Sequence, residues 1–189
     1  MFIYLASQSP RRSELLTQID VQHSVISASV AEVKQTLETP MEYVQRLALA
    51  KAQAGLAYVI KNAMPAAPVL GADTLGFVAE RVFEKPANKD EAVDMLLALS
   101  GRSHDILSAV TITDERQTWS DVAVTQVTFR SLSRIEINDY CDSEEPYDKA
   151  GSYAIQGRAA VFIERIEGSY SGVVGLPLSE TWQLLSRFS

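Results

Sequence analysis

Apolar positions along this chain alternate between two periods. Phe2 to Ala6 is a short apolar run that predicts a buried strand. Ser9-Pro10 follows as N-cap and first helical position, opening a helix to about Ile19. His23 to Ala28 predicts a second strand. Thr39-Pro40-Met41-Glu42 combines a capping box with proline at the first helical position, so a helix should run from there to about Lys61. Residues 65–68 read as a linker, 69–73 as the end of a strand and 75–83 as a hairpin. Asn88 caps a helix whose Ala92, Met95, Leu96 and Leu99 form one apolar stripe.

His104 to Thr113 and Thr118 to Arg130 predict two long strands joined by the polar turn at 114–117. In the latter, Val122 and Val124 share one parity and Val127 and Phe129 the other, which predicts a bulge or a strand buried on both faces. Ser133-Arg134-Ile135-Glu136 is a second capping box, opening a helix to about Cys141. Residues 143–157 read as a Gly- and charge-rich loop, Ala160 to Ile166 as a strand, 168–172 as a flexible turn, and Pro177 as the start of a final helix ending near Arg187. The succession is α/β with a mixed sheet, because antiparallel hairpins interrupt the helix crossovers. One domain over residues 1–189 is expected.

Composition narrows the function. With 47% hydrophobic residues among 189, the chain can bury a core. Its net charge of −7, from 17 basic and 24 acidic residues, argues against a nucleic-acid partner. A single cysteine, Cys141, excludes an internal disulfide, and with only two histidines no Cys- or His-rich metal site can form. Any metal must then be a hard ion held by carboxylates and substrate phosphates. Cys141 lies among acidic residues that disfavour a thiolate. No apolar run is long enough to span a membrane, and Met1 to Ala6 is too short for a signal core and lacks a basic leader, so a cytoplasmic location is expected. The P-loop, the dinucleotide fingerprint and the nucleophile elbow are all missing, which leaves His104 as a strand-start residue.

Three places break local rules. Ser7-Gln8-Ser9-Pro10-Arg11-Arg12 puts two arginines in a first helical turn, where the helix dipole disfavours cations. The segment is either a phosphate cradle of N–H groups and guanidinium forks or a pair of solvated arginines. Lys51 continues the inward stripe of Val44, Leu47 and Ala48, so it either snorkels past the edge or faces a buried anion. Gly71-Ala72-Asp73-Thr74 leaves a carboxylate at the end of an apolar strand, where α/β folds place catalytic groups, or an Asp capping a turn.

Leu5-Ala6-Ser7-Gln8-Ser9-Pro10-Arg11-Arg12-Ser13-Glu14-Leu15-Leu16, Gly71-Ala72-Asp73-Thr74, Glu84-Lys85-Pro86, Leu99-Ser100-Gly101 with His104, Glu145-Pro146, Asp148-Lys149-Ala150-Gly151, Ile155-Gln156-Gly157 and Val174-Gly175-Leu176-Pro177-Leu178 occur in that order. Together they resemble the Maf family of nucleoside triphosphate pyrophosphatases over nearly the whole chain. Asp73-Thr74 resembles the subgroup acting on dTTP and UTP; the 7-methyl-GTP subgroup typically differs after that Asp. Three positions depart from the family pattern: Gln8, Ala31 before Glu32, and Ala154.

The resemblance implies a curved mixed sheet flanked by helices, two lobes and a deep cleft. It implies hydrolysis of a nucleoside triphosphate to the monophosphate and pyrophosphate, with dTTP, UTP and modified pyrimidine nucleotides as candidate substrates. It implies Asp73 as catalytic base and, with Glu32, as ligand of Mg or Mn. Ser7, Ser9, Arg11, Arg12, Lys51, Lys85 and Lys149 would hold phosphate, and Arg11, Thr74 and Gln156 would select the base. It implies frequent homodimers. The alternative is a non-catalytic regulator of cell division and septum formation that binds nucleotide or a partner, although a pure binder has no need of a water-activating acid.

Overall fold

The computed structural model describes residues 1–78, 81–83 and 85–188. Seven strands form one sheet: β1 (Phe2–Leu5), β2 (Gln22–Val25), β3 (Val69–Val78), β4 (Arg81–Phe83), β5 (Ser103–Thr113), β6 (Thr118–Phe129) and β7 (Ile163–Glu167). Their order is β2-β1-β3-β5-β6-β7, with β4 also on β3. β1 runs parallel to β2 and β3, and every other pairing is antiparallel, so the sheet is mixed as the alternation of hairpins and crossovers predicts.

The helices are α1 (Pro10–Gln18), α2 (Pro40–Lys61), α3 (Lys89–Leu99), α4 (Arg134–Cys141), α5 (Tyr170–Val174) and α6 (Leu178–Leu185). Both expected capping boxes form, Thr39 with Glu42 and Ser133 with Glu136, and Asn88 caps α3 through the Glu91 N–H. Among the described residues, no helix is long and apolar enough to cross a membrane.

Helices cover both faces. Val44, Leu47 and Ala48 of α2 pack on Leu75, Leu107 and Ala109. On the opposite face, Leu16 of α1 and Leu184 and Leu185 of α6 cover Ile3, Leu5, Leu70, Val110 and Ile112. Toward the far end of β5 and β6, Leu96 and Leu99 of α3 and Ile137 of α4 close over Ile106, Val127, Phe129 and Phe162. The latter two of these three apolar masses share β5. α2 approaches the sheet unusually closely: a Cβ on Gly71 would lie 2.4 Å from Ala52 N and 2.5 Å from Ala48 O.

Among the described residues, β1 pairs with β3 at Val69 and Leu70, and β4 takes up the same edge from Gly76 onward. Residues 71–74, at the carboxyl end of β1, have no strand partner on that edge among the described residues. Crevices of this kind, outside the carboxyl ends of parallel strands, are where α/β sheets bind ligands.

Some expectations change. β2 stops at Val25, and β7 begins at Ile163 because residues 158–162 wind into a 3-10 turn. The valine parity switch in β6 is not a bulge against β5, whose register is continuous. Ala123 and Thr125 continue the inward parity of Val127 and Phe129, while Val124 is 52% exposed on the other face. The irregularity lies on the β7 side, at Thr128/Phe129. The expected flexible turn at 168–172 contains the start of α5, capped by the Ser169 side chain through the Gly172 N–H. The turn of the 75–83 hairpin and Glu84 lie outside the described residues.

His104 is buried in β5, 3% exposed, with Nε2 2.8 Å from the Tyr153 hydroxyl and Nδ1 without a partner among the described residues. Burial pushes its pKa from 6.5 down to about 4. The unfolded chain therefore takes up this proton first, and stability present above the unfolded pKa is lost as pH falls from 6.5 toward about 4. In His104→Gln, which cannot charge, the fall in unfolding free energy between about pH 6.5 and pH 4.5 should shrink by about 2 kcal/mol, read by denaturant titration at each pH. An unchanged acid slope would assign the proton uptake to another group. Cys141 is buried, and burial, ahead of its charged neighbours, pushes its thiol up.

Candidate active site

The open edge of β3 faces a cleft of about 570 Å³. Its lining includes every candidate residue: Ser7, Ser9, Arg11, Arg12, Glu32, Lys51, Asp73, Thr74, Lys85, Lys149 and Gln156. Gln8 and Ala154, two departures from the family pattern, also line it, with Ile106, Tyr153, Ile155, Val173 and Val174 as an apolar wall.

Adjacent side chains on a strand point to opposite faces. Asp73 turns toward α2, and Thr74 turns toward α5, where its hydroxyl lies 3.1 Å from Ser108 Oγ and donates to Gly175 O at 3.3 Å. Both reach the cleft because the strand edge between them is open. Lys51 settles the alternative left by the helix pattern: its Nζ is 2.7 Å from Asp73 Oδ1 and 2.6 Å from Glu32 Oε1. It faces anions and does not snorkel. The close contact of α2 at Gly71 brings Lys51 within this reach.

The two carboxylates that share this lysine shift in opposite directions. Burial dominates at Asp73 and raises its pKa against the pull of Lys51 and Arg12. At Glu32 burial also acts upward, but the hydrogen bond and charge of Lys51 outweigh it and the net shift is down. Exposure explains the difference, since the Asp73 side chain is 12% exposed and that of Glu32 59%.

The first turn of α1 has no acidic residue, and Ser9 makes no side-chain cap. Ser7 Oγ accepts from the Ser9 N–H at 3.2 Å and from Arg12 Nη1 at 3.1 Å. Arg12 Nε donates to Gly175 O at 2.8 Å. Burial lowers the Arg12 pKa, but a guanidinium stays charged at any physiological pH. Gly175 has φ +137°, a backbone that other residues rarely adopt, and its carbonyl is the point where Arg12 and Thr74 meet. That junction was invisible in the sequence, although Val174-Gly175-Leu176-Pro177 marked the segment. Asp148 is a second unforeseen element: it accepts from Arg11 Nη1 at 3.1 Å and pairs with Lys149. Burial would raise its pKa, and these two cations together hold it down.

Glu32 and Asp73 each place one oxygen on the Lys51 ammonium, so two oxygen donors share one cation. Among the described residues no cluster of three or more His, Cys, Asp or Glu side chains could hold a metal. A pair of carboxylates suits Mg or Mn, whose remaining positions are ordinarily filled by water and substrate phosphate.

An α/β sheet carries, beside the unpaired edge of β3, a cleft with a buried carboxylate and cations on both sides. The chain belongs to the Maf-like protein family, whose family model matches residues 2–188. Among its relatives, the dTTP/UTP pyrophosphatase of Aliivibrio fischeri is 50% identical over 186 residues, covering 98% of this chain and 97% of the relative. That of Saccharophagus degradans is also 50% identical, covering 98% and 88%. That of Salmonella typhimurium is 48% identical over 187 residues, covering 99% and 93%. The solved Staphylococcus aureus Ham1 protein aligns with 100% of this chain and 97% of its own, at 12% identity and a TM-score of 0.48.

Proposed function

We propose that this protein hydrolyses nucleoside triphosphates, dTTP and UTP in preference, to the monophosphate and pyrophosphate. The observation that carries the reading is the Glu32–Lys51–Asp73 constellation in a cleft ringed by Arg11, Arg12, Lys85 and Lys149. The names of the relatives supply the substrate class.

Asp73 orients a water and accepts its proton as the water oxygen attacks the α-phosphorus. The α–β phosphoanhydride bond breaks, and pyrophosphate leaves with the bonding pair. A carboxylate whose pKa is raised by burial suits that task. Arg11, Arg12, Lys51, Lys85 and Lys149 bind the triphosphate, joined by Ser7, Ser9 and the free N–H groups of α1, and stabilise charge on its oxygens. A divalent ion held by Glu32 and Asp73 would neutralise phosphate charge and lower the pKa of a bound water. Thr74, Arg11 and Gln156 select the base. The proposal includes one domain, a homodimer and a cytoplasmic location.

Uracil and thymine present an acceptor at O4 and a donor at N3, which the amide of Gln156 meets with its own donor and acceptor. A pyrophosphate-release assay with Mg²⁺ or Mn²⁺ and a nucleotide panel tests the reading. We expect dTTP and UTP to exceed CTP, ATP and GTP at least about tenfold in kcat/KM, which requires about 1.4 kcal/mol of differential binding. Gln156→Ala should flatten the preference without abolishing turnover. Equal cleavage of CTP and UTP by the wild type refutes the base assignment, and no release from any triphosphate refutes the activity.

A further inference from the structure

The turn carrying Gln156 rests on the side chain of Glu145, which the proposed reaction does not use, and on the Tyr140 hydroxyl, which meets the Ala154 backbone. Residues 154–157 close with the Gly157 N–H donating to Ala154 O at 3.0 Å. The carboxylate of Glu145 lies against this turn: Oε2 accepts from the Arg158 N–H at 3.0 Å and Oε1 from the Ala159 N–H at 3.3 Å. A Cβ at Gly157 would fall 2.3 Å from Glu145 Oε1, so the contact needs glycine there. On its other side Oε1 accepts from the hydroxyl of Tyr140 at 2.9 Å. Tyr140 is buried in α4, and its ring packs edge-on against Phe162 at 5.2 Å. The main-chain oxygen of Glu145 accepts from Lys149 Nζ at 2.9 Å.

One residue therefore ties the packed end of the sheet to two cleft elements. Its backbone holds the ammonium of Lys149, and its side chain holds the turn that presents Gln156. No hydrogen bond to a described residue fixes the Gln156 amide itself, so its position is set by the turn beneath it. Amide recognition of a base edge depends on donor and acceptor lying within hydrogen-bond range together, and a shift of about 1 Å loses one of the two.

We propose that Glu145 is a positioning residue for base selection: by clamping the backbone at 157–159, it sets where Gln156 meets the pyrimidine. The inference rests on the function proposed above. In Glu145→Gln one oxygen is kept, but an NH₂ group replaces the other and faces the Arg158 N–H in one orientation or the Ala159 N–H and the Tyr140 hydroxyl in the other. Tyr140→Phe removes the hydroxyl that donates to Glu145 and accepts from the Ala154 backbone, and keeps the packing.

The experiment measures kcat and KM for UTP and CTP in Glu145→Gln, Tyr140→Phe and Gln156→Ala, with circular dichroism and Tm for each. In Glu145→Gln the UTP/CTP ratio of kcat/KM should fall about fivefold or more, through a higher KM for UTP, while kcat changes less than about threefold. Tyr140→Phe should move the ratio the same way by less, and if Glu145→Gln does not fold, Glu145→Asp, whose shorter side chain draws the carboxylate back from the Arg158 and Ala159 N–H groups, decides the matter by the same ratio. A purely structural role would lower Tm and leave the ratio alone. If Gln156→Ala flattens the ratio while folded Glu145→Gln and Tyr140→Phe keep the wild-type value, Glu145 does not position the base. If Glu145→Gln shifts the ratio and Gln156→Ala does not, Glu145 acts through another residue of the turn and the assignment of Gln156 falls. If none shifts it, both are overturned.

Discussion

Asp73→Asn should lower kcat at least about 10²-fold while the protein stays folded, the scale expected when a general base is removed. The substitution keeps the shape of the side chain, and the amide oxygen can still accept from Lys51 at the position of Oδ1, 2.7 Å away in the wild type. Lys51 also retains Glu32 at 2.6 Å, so the change does not leave an unpaired cation. Removing one partner of a buried ion pair is otherwise strongly destabilising, by about 3–5 kcal/mol. Burial already works against the charged form of Asp73, so the neutral amide gives back part of that penalty. The folded state should therefore survive with wild-type circular dichroism, and the loss should appear in turnover measured at saturating UTP. Near-normal kcat in a folded mutant would remove Asp73 from the chemistry.

Of the glycine-to-alanine changes, Gly71→Ala should be the most damaging. The added carbon would meet Ala52 N at 2.4 Å, Ala48 O at 2.5 Å and Ala52 Cα at 2.9 Å. All three are backbone atoms of α2, so no side-chain rotation relieves the clash. Either the helix lifts or the strand bends, and overpacking of this kind costs about 3 kcal/mol. For a chain of this size that corresponds to a fall of about 6–12 °C in Tm, measured by thermal circular dichroism. A helix that lifts also draws Lys51 away from Asp73, so activity should fall further than stability alone explains. A shift below about 2 °C would mean that α2 packs less closely than described.

Much of the fold was legible because its signals are local. Thr39, Asn88 and Ser133 name their helix starts through hydrogen bonds made within three residues. The ends of β2 and β7 were not, because pairing with neighbours decides them and apolar periodicity does not. α5 was hidden because it spans five residues between glycines and owes its start to one serine cap. In the site, Arg12 and Lys51 betrayed themselves by sitting where charge is disfavoured, and the cleft brings both beside Asp73. Glu145, Asp148 and Gly175 gave no such sign. Each has a partner lying between 13 and 163 residues away, and ordinary loop residues become junctions only after the chain has closed.

The broken edge of β3 has a mechanical consequence. The cleft opens beside strands that do not stop at it: β5 and β6 pair without interruption from Ser103–Thr128 to Thr113–Thr118, passing from one apolar mass into the other. No loop of low stiffness joins the two walls along that path. Swinging them apart as rigid bodies would shear a continuous ladder, so the sheet acts as a stiff spine behind a fixed aperture. Accommodation of a substrate falls to elements off that spine: the segment around Glu32, the long cation side chains at the rim and the loop that Glu145 fastens.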